Sequence, residues 1–296
     1  MWIVEIHVRT EPLVPAVPSS FLEPLGVQFE ALIPAREITH PLSCHRQRIA
    51  DRVVFDKLVA RLVLGGVYRA HGDDRVSATT LRSRRDEWVN AGLFTRIEQN
   101  ALETYDRFVG LDLADVSVAG CIVKAPCGGD NTGRSPVDRG KSGLKRSVLV
   151  DGAGIPLGVV LAGAHRNDSP LLRPTLECPG RLEPRFGVGL PEHMSVHPDA
   201  GYDSRRTREL LDELAMSGRT TPEGESIRID HTGRRKVERT NSWHHRGFRT
   251  LQAVTDRVHA VQHAWIAPAN AIIIIRRPNR TAWTTHRWNS RPHHRP

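Results

Sequence analysis

The chain has 296 residues, enough for one large domain or two modest ones, and a formal net charge of +9. Hydrophobic residues make up 39% and aromatics only 5%, which argues against the stacking platform that single-strand nucleic-acid binders use. The longest apolar run, residues 271–275, is far too short to cross a bilayer, and the first twenty residues lack the basic start and apolar core of a secretory signal.

In chain order, residues 1–25 have no period and four prolines, and read as an arm without regular structure. The stretch 52–70 places Val54, Leu58 and Leu62 on one helix face. A loop follows, and Ser77 is placed to cap a second helix with Leu81 and Trp88 inward and Gly92 near its end. Arg82, Arg84 and Arg85 are expected on its outer side. Two helices joined by a short turn, the second carrying arginines, outline a helix-turn-helix, although an ordinary helical hairpin has the same outline.

Beyond residue 110 the pattern changes to strands. "DVSVAGCIV" alternates valine with small residues, and "KRSVLVDGAGIPLGVVLAG" sets two apolar runs around a hairpin turn. "MSVHPDAGYDS" is a short extended segment ending near Asp199 and Gly201. A helix follows, capped by Asp203 or Ser204, with Leu210 and Leu214 on one face and Gly218 at its end; "RRKVERTNSW" reads as another. Strands, then helix, strand and helix, give a mixed sheet covered by helices. Pro268 and Pro278 are expected to interrupt the last apolar helix. The implied divisions are an arm (1–25), a helical DNA-binding-like region (26–110), an α/β core (111–262), and a C-terminal helix with a basic tail (263–296).

Charge is concentrated at the end of the chain. From Arg228 onward there are 13 arginines and Lys236 against three acids, Asp230, Glu238 and Asp256. Such an excess points to a polyanion, most often nucleic acid. Cys44, Cys121, Cys127 and Cys178 form no C-x-x-C pair, and are expected to be reduced thiols. His193 and His197 lie four apart in an extended segment, so they read as surface residues and not as a ligand pair. Asp199 at a strand end and Glu238 on a basic helix could together hold a hard cation against a phosphate backbone.

The block "IVKAPCGGDNTGRSPVDRGKSGLKRSVLVDGAGIPLGVVLAGAHRNDSPLL" resembles the central block of bacterial insertion-sequence transposases of the DDE type. "VHPDAGYDS" resembles their second-aspartate motif, "KVERTNSWHHRGFR" their glutamate motif, "AWTTHRWNSRP" their basic terminus, and "SATTLRSRRDEWVNAGLF" the helical region before the core. The resemblance runs from about residue 40 to 292. It implies an RNase H-like α/β core, preceded by a small helix-turn-helix-like domain, that cuts and rejoins double-stranded DNA at element ends and target. It implies two Mg²⁺ (or Mn²⁺) ions held by Asp199 and Glu238 as second and third acids.

The first acid should stand two residues before Cys121, where the chain has Ala119. Asp115 lies on the same strand face, but at about 3.3 Å per residue it is roughly 13 Å away. Asp151 is a candidate stand-in from the adjacent strand, while Asp138 and Asp168 read as braces. The expectation is therefore weakened metal binding and impaired catalysis, with a DNA-binding remnant lacking catalysis as the alternative. Arg82, Arg84, Arg85, Arg234, Arg235 and Arg239 are the expected DNA contacts. A cytoplasmic, nucleoid-associated protein with no membrane role is implied, and a homodimer is compatible with it.

Overall fold

The computed structural model describes residues 17–35, 48–179, 193–218 and 234–286. The first sixteen residues of the expected arm, Cys44, and the basic tail from Arg287 lie outside them. Helix α1 (Ser19–Leu32) begins inside the stretch read as irregular, because Leu25, Gly26 and Phe29 form a buried stripe. Helix α2 (Asp51–Leu64) buries Val54, Leu58 and Leu62 as expected. It stops six residues short of the expected end, because Gly65 and Gly66 take φ of 70° and 93°, the left-handed region that glycine tolerates. Ser77 caps α3 (Ala78–Asn90), its side chain accepting the Thr80 amide at 3.1 Å. Helix α4 (Leu93–Phe108) buries Phe94, Ile97, Ala101 and Tyr105 along one stripe. Phe29 stacks on Phe55 at 4.3 Å between ring centroids and meets Trp88 edge-on at 4.8 Å, which fastens α1, α2 and α3 together.

Among the described residues the sheet has six strands: β1 (Asp115–Lys124), β2 (Thr132–Arg134), β3 (Ser142–Val150), β4 (Pro156–Gly163), β5 (Ser195–Pro198) and β6 (Ser217–Gly218). β3 is antiparallel to both β1 and β4. β5 is parallel to β1, and β6 is parallel to β5. The β3–β4 turn is held by Asp151, whose buried carboxylate accepts the amides of Ala153 at 2.9 Å, Ile155 at 2.7 Å and Asp112 at 3.1 Å. Gly154, with φ of 82°, completes it.

Helices α5 (Ser169–Leu176) and α6 (Arg205–Glu213) lie on one side of the sheet, where Thr175 and Tyr202 both hydrogen-bond the buried Ser147 of β3 at 2.7 Å. Ser204 is the cap of α6. Helix α7 (Arg234–Gly247) covers the other side, over β1 and β3, and a short helix α8 (Arg249–Gln252) follows. Helix α9 (His259–His286) packs along α4 and also touches α1, α2 and α3.

Two expectations are corrected. Pro268 does not break α9: it sits inside a continuous helix, flanked by fully buried Ala267 and Ala269. The lost hydrogen bond costs about 3 kcal/mol, but burying side chains such as Trp265, Ile266 and Ile272 returns roughly 1.5–3 kcal/mol each. Nor do α2 and α3 present an arginine-rich recognition face. Arg84 and Arg85 are buried, at 4% and 8% exposure. Arg84 pairs with Asp51 and donates to the Ile49 carbonyl; Arg85 pairs with Asp256 at 2.8 Å. Asp256 also accepts from Arg61 and from the Trp265 indole, so these arginines lock α2 and α3 onto α9. Helical periodicity counts an arginine as outward by default, and cannot see a carboxylate supplied from 171 residues away.

Candidate active site

β1 and β5 run parallel in the register Ser117 opposite His197 and Val118 opposite Pro198. The next step sets Ala119 beside Asp199, and the Asp199 amide donates to the Val118 carbonyl at 2.9 Å. Paired strand residues share a face, so Asp115, Ser117, Ala119 and Cys121 line one side of β1 with His197 next to them, and Asp199 follows directly after β5. Two contacts confirm that side. His197 Nε2 lies 2.6 Å from Asp115 Oδ1, and Arg146, the cross-strand partner of Cys121, reaches its sulfur at 3.8 Å.

Helix α7 covers this same face. Val237, Thr240 and His244 are fully buried beneath it. Thr240 donates to the Gly154 carbonyl at 2.7 Å and Arg239 to the Ala153 carbonyl at 2.6 Å, so the helix is pinned to the hairpin turn. Lys236 bonds Asp115 at 2.5 Å. Glu238 is exposed, one residue from buried Val237. The structure thus brings Asp199 level with Ala119, and sets Glu238 on the helix that covers them. Arg235 is exposed, and Arg239 also lies over the Trp243 ring at 5.1 Å. The side chain of Arg234 is outside the described residues. Arg82 is exposed and lies over the Tyr68 ring at 4.9 Å.

Neither proposed stand-in is at hand to replace the first acid. Asp151 is spent on three backbone amides, and burial raises its pKa. Partial burial opposes the charge on Asp115, but Lys236 and His197 outweigh it and hold the carboxyl below its usual range. Asp168 lies on the opposite face: its Oδ1 pairs with buried Lys145 at 3.0 Å, and a Cβ at Gly120 would come within 2.5 Å of it. This is the bracing role expected of it. At Asp138 the backbone carbonyl closes a turn by accepting the Lys141 amide at 2.9 Å.

Sequence patterns gave no signal for Arg146 or His244. Arg146 is 1% exposed, and its Nε and Nη1 have no hydrogen-bond partner among the described residues. It stands two residues from Val148, the cross-strand partner of Ala119. His244 is bonded through Asn270 to Glu98 of α4, with contacts of 2.6 and 2.5 Å. Burial and then the Arg146 charge depress the His244 pKa to about 3, so it is neutral.

These facts decide whether divalent cations suit the residues present. A hard-cation site needs converging oxygens and a net negative field. Here the central position holds a methyl group, and a buried guanidinium lies close by. Among the described residues, no group of three or more His, Cys, Asp or Glu could hold a metal ion. The donor set falls one carboxylate short of the trio that the resemblance implies.

The strand order β4-β3-β1-β5-β6, antiparallel through the hairpin strands and parallel beyond β1, defines an RNase H-like α/β core with helices on both faces. The chain belongs to the transposase DDE domain family, whose profile matches residues 124–275, just over half of its length. That match begins after Ala119. A relative from Burkholderia cepacia, provisionally named the transposase for insertion sequence element IS402, is 32% identical over 143 residues. The aligned stretch covers 47% of this chain and 66% of the relative, just under two thirds of its length. Among solved structures, the Mos1 strand transfer complex is similar at TM-score 0.33 and 12% identity, over 83% of this chain and 79% of that one. The Mos1 mariner paired end complex with Mn is similar at TM-score 0.32 and 12% identity, over 87% and 84%.

Proposed function

We propose that this chain is a DNA transposase of an insertion sequence that still binds double-stranded DNA but cuts element ends poorly or not at all. The observation that carries this reading is the pairing of Ala119 with Asp199 beneath the helix that bears Glu238. Family membership supports phosphodiester cleavage and strand transfer as the ancestral chemistry, with Asp199 and Glu238 as remaining ligands for divalent cations. Those cations would supply charge stabilisation at the reacting phosphate. Losing one of three carboxylates removes a negative charge and a coordinating oxygen, and slight misplacement at a reacting centre costs about 10²-fold in rate. Arg82, Arg235 and Arg239 are proposed to contact backbone phosphates, as is Arg234; Arg84 and Arg85 serve the fold.

The test is a nicking assay with Mg²⁺ or Mn²⁺ on a plasmid carrying the element's own ends, run beside a binding assay on the same DNA. Binding without nicking is expected. Robust nicking that disappears in Asp199→Ala would overturn the proposed impairment, because another group would then be completing the site.

A further inference from the structure

On the face of the sheet opposite Ala119, β2, the end of β4, and the first turns of α5 and α6 enclose a cleft of about 820 Å³. Three exposed arginines line it: Arg134 on β2, Arg166 in the turn after β4, and Arg206 in the first turn of α6. None of them makes an ion pair with a described residue. The carboxylate in the lining, Asp168, is already neutralised by Lys145 at 3.0 Å. Ser169 and Ser204, at the starts of α5 and α6, are joined by a 2.7 Å hydrogen bond, so two helix amino-termini open on the same space. Each such end carries about half a positive charge, although Ser204 already caps the Thr207 amide and the Leu171 amide bonds the Asp168 carbonyl. The lining also includes Gly201, two residues beyond Asp199.

We propose that this cleft binds the phosphate backbone of a DNA strand, and so continues the grip on DNA around the end of β5 from the catalytic face. The proposal rests on the reading that the chain binds DNA, and assigns to it a surface that the glutamate-motif arginines do not include. The chemistry is that of phosphate recognition. Planar guanidinium forks bind phosphate oxygens in pairs, and helix amino-termini favour anions. Three arginines that neutralise no protein acid leave a positive field, which a backbone bearing regularly spaced charges would satisfy. An exposed arginine surrounded by water needs no such neighbours, but here three converge on one concavity with two helix dipoles.

The test combines Arg134→Ala, Arg166→Ala and Arg206→Ala in the full chain. These side chains are exposed, so thermal stability should be unchanged. The control combines Arg69→Ala, Arg75→Ala and Arg96→Ala, which are also exposed but lie on the helical layer. Affinity for a short duplex and a single strand, both of arbitrary sequence, is measured across a salt series. Each phosphate contact contributes about 0.9 to the slope of log affinity against log salt for duplex. The cleft variant should lower that slope by about 2–3 and the affinity at about 0.1 M salt by at least tenfold. Equal losses in the control variant would overturn the cleft assignment while leaving DNA binding intact. Absence of DNA binding by the unmodified chain would sink the functional reading and this inference together. Inorganic phosphate is titrated in parallel: if it binds in the unmodified chain and is lost in the cleft variant while DNA affinity is unchanged, the cleft is a small-anion site and the strand assignment is wrong.

Discussion

Ala119 on β1 and Asp199, the residue that follows β5, are held side by side by the Asp199 amide, which donates to the carbonyl of Val118 at 2.9 Å. The backbone of the proposed site is therefore in place, and what differs from the acid that the resemblance implies is a side chain. Ala119 is 2% exposed, so a carboxylate there would have to be paired to be tolerated. Without divalent cation, Ala119→Asp should lower stability by about 1–3 kcal/mol, measured by guanidinium denaturation. Arg146 could recover part of that loss by pairing with the new acid. If so, Ala119→Asp/Arg146→Gln should be less stable than either single variant would predict by addition.

Asp256 gathers Arg61, Arg85 and the Trp265 indole at the junction of α2, α3 and α9. Removing the acid leaves buried guanidinium groups unpaired. Asp256→Ala should cost about 3–5 kcal/mol. Arg84→Ala should also destabilise, and when compared under conditions where both chains are folded it should leave the salt slope of DNA binding unchanged. A slope that falls by about one, with stability intact, would instead make Arg84 a phosphate contact.

Asp151 is a structural carboxylate in this account. Asp151→Ala strips three backbone amides of their acceptor and should cost at least about 1–3 kcal/mol. The check is a denaturation curve, with Ala153→Gly as a comparison that keeps the acceptor. Full stability of Asp151→Ala would leave the carboxylate available for the stand-in role.

The buried chain Glu98–Asn270–His244 joins α4 to α7 and gives a pH dependence with a definite sign. Burial raises the Glu98 pKa to about 7, from the usual 4.5 of a free glutamate. Between these values the folded state holds a proton that the unfolded state has released. This contribution to stability is therefore full at about pH 4.5 and declines as pH rises to about 7, by roughly 3 kcal/mol in total. His244 acts in the opposite direction, its contribution being lost as pH falls from about 6.5 towards 3. The difference between the unmodified chain and Glu98→Gln isolates the first effect. That difference should change between pH 5 and pH 8, and a flat difference would contradict the buried-acid assignment.

Much of this was legible in the sequence, and the reasons are specific. Valines around a turn of glycines and Asp151 announced the hairpin, because strand period and turn chemistry are local. Val54, Leu58 and Leu62 announced α2 for the same reason. The strand-end position of Asp199 and the glutamate-bearing helix followed from short motifs. Arg84, Arg85 and Arg146 were not legible, since their burial depends on partners or strands distant in the chain. Pro268 misled because its penalty is local while its compensation comes from packing on α4. The cleft lined by Arg134, Arg166 and Arg206 could not be foreseen, because its residues come from four separate elements.

The central claim, that Ala119, Asp199 and Glu238 mark a single cation site lacking one ligand, is tested most directly by Mn²⁺-dependent thermal stability. The unmodified chain should gain little on adding Mn²⁺. Ala119→Asp, with and without Arg146→Gln, should gain stability that grows with Mn²⁺ concentration, reaching about 2.7 kcal/mol at a hundredfold excess over the dissociation constant. Adding Asp199→Asn or Glu238→Gln should abolish that gain. If the gain survives either of these, or never appears in any Ala119→Asp background, the three residues do not share a site.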